Sequence, residues 1–132
     1  MFSGTFHQQI CAMNKHEKIN YIELPAKDIA ATKAFFMRVF GWEFQDYGAE
    51  YSAFSDGVID GGFFLSGRKS CQADGAALVV FYSNDLEATL KKVEAAGGIV
   101  IKSIFSFPGG RRFHFSEPSG NEFAVWSELD AR

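Results

Sequence analysis

The sequence predicts an α+β fold in which two βαβββ modules form a curved mixed sheet that encloses a cleft. Three features predict it: an internal repeat, a helix in each half that opens on an aspartate, and three short extended runs after each helix. The repeat is read from Asp28-Ile29-Ala30-Ala31-Thr32, which returns as Asp85-Leu86-Glu87-Ala88-Thr89. Gly41 and Gly98 follow the two aspartates at the same distance. Self-similarity of this kind constrains a whole fold, because each copy must be one supersecondary unit.

Each half begins with an extended apolar segment, KINYIEL at 18–24 and ALVVFYS at 77–83, rich in β-branched and aromatic residues. Asp28 and Asp85 then stand where an N-cap carboxylate accepts from the first free N–H groups of a helix. In the second helix Leu86, Leu90 and Val93 recur at helical spacing among Glu87, Lys91, Lys92 and Glu94, and Gly97-Gly98 supplies a left-handed stop. The first helix carries Phe35, Phe36, Val39 and Phe40 before Gly41. An apolar face that wide packs on more than one surface, and a partner subunit is one candidate for the second. The later runs EFQDY, EYSAFS and GGFFLS, then IVIKSIF, RRFHFS and NEFAVWS, read as strands separated by turn residues. Gly61-Gly62 and Gly109-Gly110 read as strand-end turns or bulges, since neither pair belongs to a phosphate-loop pattern.

A chain of 132 residues allows one domain with one sizeable core, expected over 18–129 with repeats at about 18–67 and 76–127. Residues 1–17 read as a flexible arm. The net charge of −3 and the absence of a basic stripe argue against nucleic acid or a membrane as partner. No run reaches membrane-spanning length and no secretory signal is evident. Cys11 and Cys71 form no close pair, so reduced thiols and a cytoplasmic setting are expected. With 15 Phe, 4 Tyr and 2 Trp, the chain holds more aromatic area than a core of this size needs, which points to a lined cavity or a subunit interface.

The phrases IELPAKDIAATKAFFMRVFGWEF, DGGFF, NDLEATLKKVEAAGG and FSEPSGNEFAVWS, in that order, resemble the vicinal oxygen chelate superfamily of glyoxalases, bleomycin resistance proteins and dioxygenases. The resemblance covers nearly all of 18–127. It implies metal ligands on the first and last strands of each half, but here those positions fall on Tyr21, Leu78 and Ala124. The counterpart segment 61–67 holds no His, Asp or Glu. A member without the family's metal is therefore expected, with no cofactor and without lactoylglutathione lyase activity.

Strand alternation places Tyr21 and Glu23 on the cleft face, with Ile22 and Leu24 under the helix. The same parity puts Leu78, Tyr82, Glu122 and Trp126 in the cleft, and sets Arg112, His114 and Ser116 on one face. These define the expected ligand-binding residues: Tyr21, Glu23, Leu78, Tyr82, Arg112, His114, Glu122 and Trp126. Glu23 is a candidate base or an anchor for a cationic ligand, or else a structural acid bonded to Arg, Tyr or backbone. His114 is a candidate general base, or a packed imidazole. Arg112 suits a carboxylate or phosphate on the ligand, or a partner in Glu23 or Glu122. The leading expectation is a metal-independent small-molecule binding protein, a homodimer, that holds an apolar or aromatic molecule for sequestration or sensing. The alternatives are a lyase, isomerase or dioxygenase of the same superfamily, using non-family metal ligands or metal-free acid-base chemistry through Glu23 and His114, and an interaction module without a ligand.

Overall fold

A computed structural model describes residues 14–128 of the chain. The arm expected over 1–17 falls outside these residues except for its last four, which lie in no helix or strand, and Cys11 falls outside them too. The elements are β1 (Tyr21–Ala26), α1 (Ile29–Phe40), β2 (Glu43–Asp46), β3 (Tyr51–Ser55) and β4 (Asp60–Leu65). After a short 3-10 turn at Gln72–Asp74 come β5 (Val79–Tyr82), α2 (Leu86–Ala95), β6 (Ile99–Phe107), β7 (Gly110–Ser116) and β8 (Glu122–Ser127). The expected α+β fold of two βαβββ modules is the one observed.

The strands form two four-stranded mixed sheets, ordered β1-β4-β3-β2 and β5-β8-β7-β6. In each, the first strand of the module pairs parallel with its last, and the other pairings are antiparallel. Gly61 and Gly62 lie inside β4, in regular register with Phe54 and Ala53, rather than at a strand end. They are there because aromatic rings cross the strand on both faces. A Cβ on Gly61 would come within 2.3 Å of the Phe54 ring, and one on Gly62 within 1.9 Å of the Tyr51 hydroxyl. Gly109-Gly110 does close a turn, with Gly110 opening β7.

Both helices start as expected. Asp28 accepts from the Ala31 N–H and Asp85 from the Ala88 N–H, while Gly41 ends α1 in the left-handed region at φ 69°. The broad aromatic face of α1 is buried within the chain, against both sheets. Phe36 stacks on Trp42 at 4.3 Å and on Phe63 at 5.7 Å in the first module, and meets Phe123 edge-on at 5.2 Å in the second. Phe40 stacks on Phe81 of β5 at 4.1 Å. The second surface that the sequence called for is thus the other module, and this helix gives no ground for a subunit contact.

Polar groups lock the same junction. Glu117, in the β7–β8 turn, is buried and accepts from Thr32 Oγ1 of α1 at 2.6 Å and from the Ser119 and Asn121 N–H groups. Burial pushes its carboxyl up, against the pull of those donors. Asn121 donates to the Pro25 carbonyl of β1 and accepts from the Ser70 N–H, so one turn of the second module is tied to the first strand and to the linker.

Candidate functional site

With the helix-side faces joined, the opposite face of each sheet carries the chemistry. On the first sheet, register puts Tyr21, Glu23, Tyr51 and Asp60 on that face. Tyr51 leans over the bare backbone of Gly62 and donates to Glu23 Oε2 at 2.9 Å, so its hydroxyl is left to accept from Tyr21 at 2.6 Å. Burial raises both phenols above their usual range, and Tyr51 is pushed further by its bonds to Tyr21 and Glu23. Burial also raises the Asp60 carboxyl. Glu23 itself is exposed and serves as the acceptor of a tyrosine pair, one of the arrangements expected for it.

The second sheet gathers most of the residues singled out in the sequence. One row across it runs Phe105 (β6), Arg112 (β7), Trp126 (β8) and Tyr82 (β5); the next runs Lys102, His114, Ala124 and Val80. Leu78 sits just before β5, outside the paired strand. Tyr82 and Trp126 meet edge-on at 5.2 Å, and Phe107 meets Trp126 at 6.2 Å. Tyr82 also donates to Glu128.

His114 is almost fully buried, with both ring nitrogens engaged. Nδ1 lies 3.0 Å from Glu122 Oε2, and Nε2 lies 2.9 Å from Arg112 Nη2 and 3.2 Å from Nε. A guanidinium only donates, so Nε2 carries the lone pair and Nδ1–H donates to Glu122. Glu122 accepts in addition from the Gln72 N–H at 2.9 Å. Burial alone would raise the Glu122 carboxyl. The hydrogen bonds from His114 and Gln72, the larger of the opposing effects, outweigh it and hold the group below the usual carboxylate range.

The imidazole therefore has an orienting partner that could not be identified from sequence. Arg112 bonds to His114 and not to Glu23 or Glu122, which was one of the two alternatives for it. Glu23 and His114 stand on different sheets, each with partners of its own.

Phe105, Phe107 and Tyr51 were not anticipated. Register shifts in β6 between Val100 and Lys102 and between Lys102 and Phe105 reverse the alternation, so that Lys102, Phe105 and Phe107 share a face that strict parity forbids. No sequence signal marks those shifts. Tyr51 carries no such signal either: its register partner is Phe64, and only its side chain reaches Gly62. A groove of about 640 Å³ shares Tyr82 with this face and is lined otherwise by Phe40, Gly41, Asp85 and Lys92 among others.

The fold and both faces define a two-module protein of the vicinal oxygen chelate kind. The chain belongs to the Glyoxalase/Bleomycin resistance protein/Dioxygenase superfamily, whose model matches residues 18–125. It is 35% identical to the anthracycline biosynthesis protein DauV of Streptomyces sp. (strain C5) over 80% of its length and 45% of that protein's. It is 33% identical to the anthracycline biosynthesis protein DnrV of Streptomyces peucetius, with the same coverage. The chain thus spans less than half the length of these curated relatives. Its fold resembles that of a glyoxalase-related enzyme from Fulvimarina pelagi, at TM-score 0.71 and 17% identity, over 85% of this chain and 88% of that one.

The family's divalent ion does not fit the residues present. Leu78 and Ala124 have no donor atom, the Tyr21 hydroxyl is engaged with Tyr51, and His114 has neither nitrogen open. Among the described residues no group of three or more His, Cys, Asp or Glu is placed to hold a metal.

The depressed Glu122 carboxyl gives a pH dependence of known sign. A folded pKa below the unfolded one contributes stability that is present above the unfolded value and is lost as pH falls through the folded value. Urea unfolding from neutral pH into the acid range should show a smaller fall in stability for Glu122→Gln than for the wild type.

Proposed function

We propose that this protein binds a planar aromatic small molecule on the outer face of its second sheet, without a metal, for sequestration or sensing. The observation that carries this reading is the row Phe105, Arg112, Trp126 and Tyr82. In it, exposed aromatic area lies beside a few fixed polar groups, the composition of a small-molecule site. Tyr82 and Phe105 are 51% and 39% exposed, enough surface for a flat ligand to cover. The two relatives named for anthracycline biosynthesis support a fused-ring aromatic as the ligand class. Titration with an anthracycline should give saturable quenching of Trp126 fluorescence, weakened about tenfold or more in the Tyr82→Ala variant, whose lost ring contact removes stacking. Non-saturating quenching, or equal affinity in that variant, would sink the reading.

The protein is further proposed to act in the cytoplasm as a homodimer. The free thiol of Cys71 agrees with a reducing compartment, and among the described residues no helix is long and apolar enough to cross a membrane. The dimer is supported by β6, an edge strand nine residues long that exposes Ile99 and Ile101. Sedimentation velocity should find a dimer for the wild type and a monomer for Ile101→Lys. A monomeric wild type refutes this part.

A further inference from the structure

Resting on the reading that the second sheet's outer face is the binding site, we infer that Arg112 is an oxyanion receptor. The ligand class is then a planar aromatic acid. Its carboxylate meets the Arg112 guanidinium while its rings lie on Trp126 and Tyr82.

The first ground is the company this guanidinium keeps. Arg111, one residue earlier and on the opposite side of β7, is paired at two points with Glu87, at 2.6 and 3.2 Å. Arg112 has no such partner: among the described residues no carboxylate lies within 4 Å of it. Its hydrogen-bond acceptor is the lone pair of a neutral imidazole, which leaves the positive charge without a touching counter-ion. The nearby carboxylates are already engaged, Glu122 by His114 and Gln72, and Glu128 by Tyr82. Lys102, opposite His114 on β6, adds a second positive charge to the same face.

The second ground is that the fork is held still. Nε and Nη2 converge on His114 Nε2, and the His114 ring is fixed in turn by Glu122. The guanidinium carbon lies 5.9 Å from the centre of the Phe105 ring and 5.8 Å from that of Phe107. A half-buried cation fixed in this way has already lost the rotamer freedom that a flexible arginine gives up on binding. The Nη1 amino group has no protein acceptor among the described residues and remains to donate. Paired N–H groups of a planar fork match a carboxylate in geometry, and charge-assisted bonds of this type are the strong ones. Register puts Trp126 directly beside Arg112 and Tyr82 beyond it, so a flat ring system continues from the acid group onto both rings.

In this arrangement Glu122 and His114 are positioning residues: they aim Arg112 without touching the ligand. The bulged β6 brings Phe105 and Phe107 to the guanidinium. Phe105 and Phe107 therefore serve the same group.

The test compares anthraquinone carboxylate with the uncharged anthraquinone carboxamide by isothermal titration calorimetry, on the wild type and on Arg112→Gln, Arg112→Lys and Arg111→Gln. The wild type should prefer the carboxylate by about tenfold or more. Arg112→Gln should remove that preference, with a far-UV circular dichroism spectrum and a thermal midpoint like the wild type's showing that the variant is folded. Arg112→Lys should restore only part of it, because an ammonium lacks the fork, and Arg111→Gln should leave it intact. Equal binding of the two probes by the wild type, or an undiminished preference in Arg112→Gln, overturns the receptor and leaves the aromatic site standing. If neither probe binds, the receptor and the aromatic site both fail.

Discussion

The aromatic face of α1 is the constraint on which the rest of the molecule depends. A four-stranded sheet with one helix is too small to bury its own apolar face well, and here two such units solve the problem by sharing the first helix. Phe36 touches rings of both modules, and Phe40 reaches across to Phe81. Glu117 and Asn121 fix the orientation of the pair by hydrogen bonds that cross between the modules. Because this junction uses the helix-covered side of each sheet, the other side of each is left outside the shared core.

The two outer faces differ in kind. The first is phenolic and acidic, with Tyr21 donating to Tyr51 and Tyr51 to Glu23 over a glycine. The second is aromatic and basic. The positions where the superfamily's metal enzymes would need ligands fall on Tyr21, which is engaged with Tyr51, on the first face, and on Leu78 and Ala124, which have no side-chain donor atom, in the second module. The chain has the scaffold of the superfamily, and a scaffold by itself does not transfer an activity.

Much of the architecture was legible in the sequence. The repeat located both helices and their aspartate caps, and alternation placed Ile22 and Leu24, Val79 and Phe81, and Phe123 and Val125 on the buried side, because those strands are regular. The site was legible only in part, for a physical reason. Parity says which face a side chain takes, but not which neighbours it meets across strands. His114 and Glu122 were assigned to one face, while their hydrogen bond follows from the β7–β8 register, in which Ser116 pairs with Glu122. Phe105 and Phe107 were out of reach, since the shifts in β6 leave no compositional mark. Gly61-Gly62 looked like punctuation because nothing in a single sequence shows that Phe54 and Tyr51 need the space.

The most direct measurement of where a ligand sits is a heteronuclear NMR titration of the protein with an anthracycline. Perturbations centred on Tyr82, Phe105, Arg112 and Trp126 are expected, with the helix-side core unmoved. Perturbations centred instead on the groove lined by Phe40, Asp85 and Lys92, or on the Tyr21, Glu23 and Tyr51 face, would show that the aromatic face of the second sheet is not the binding site.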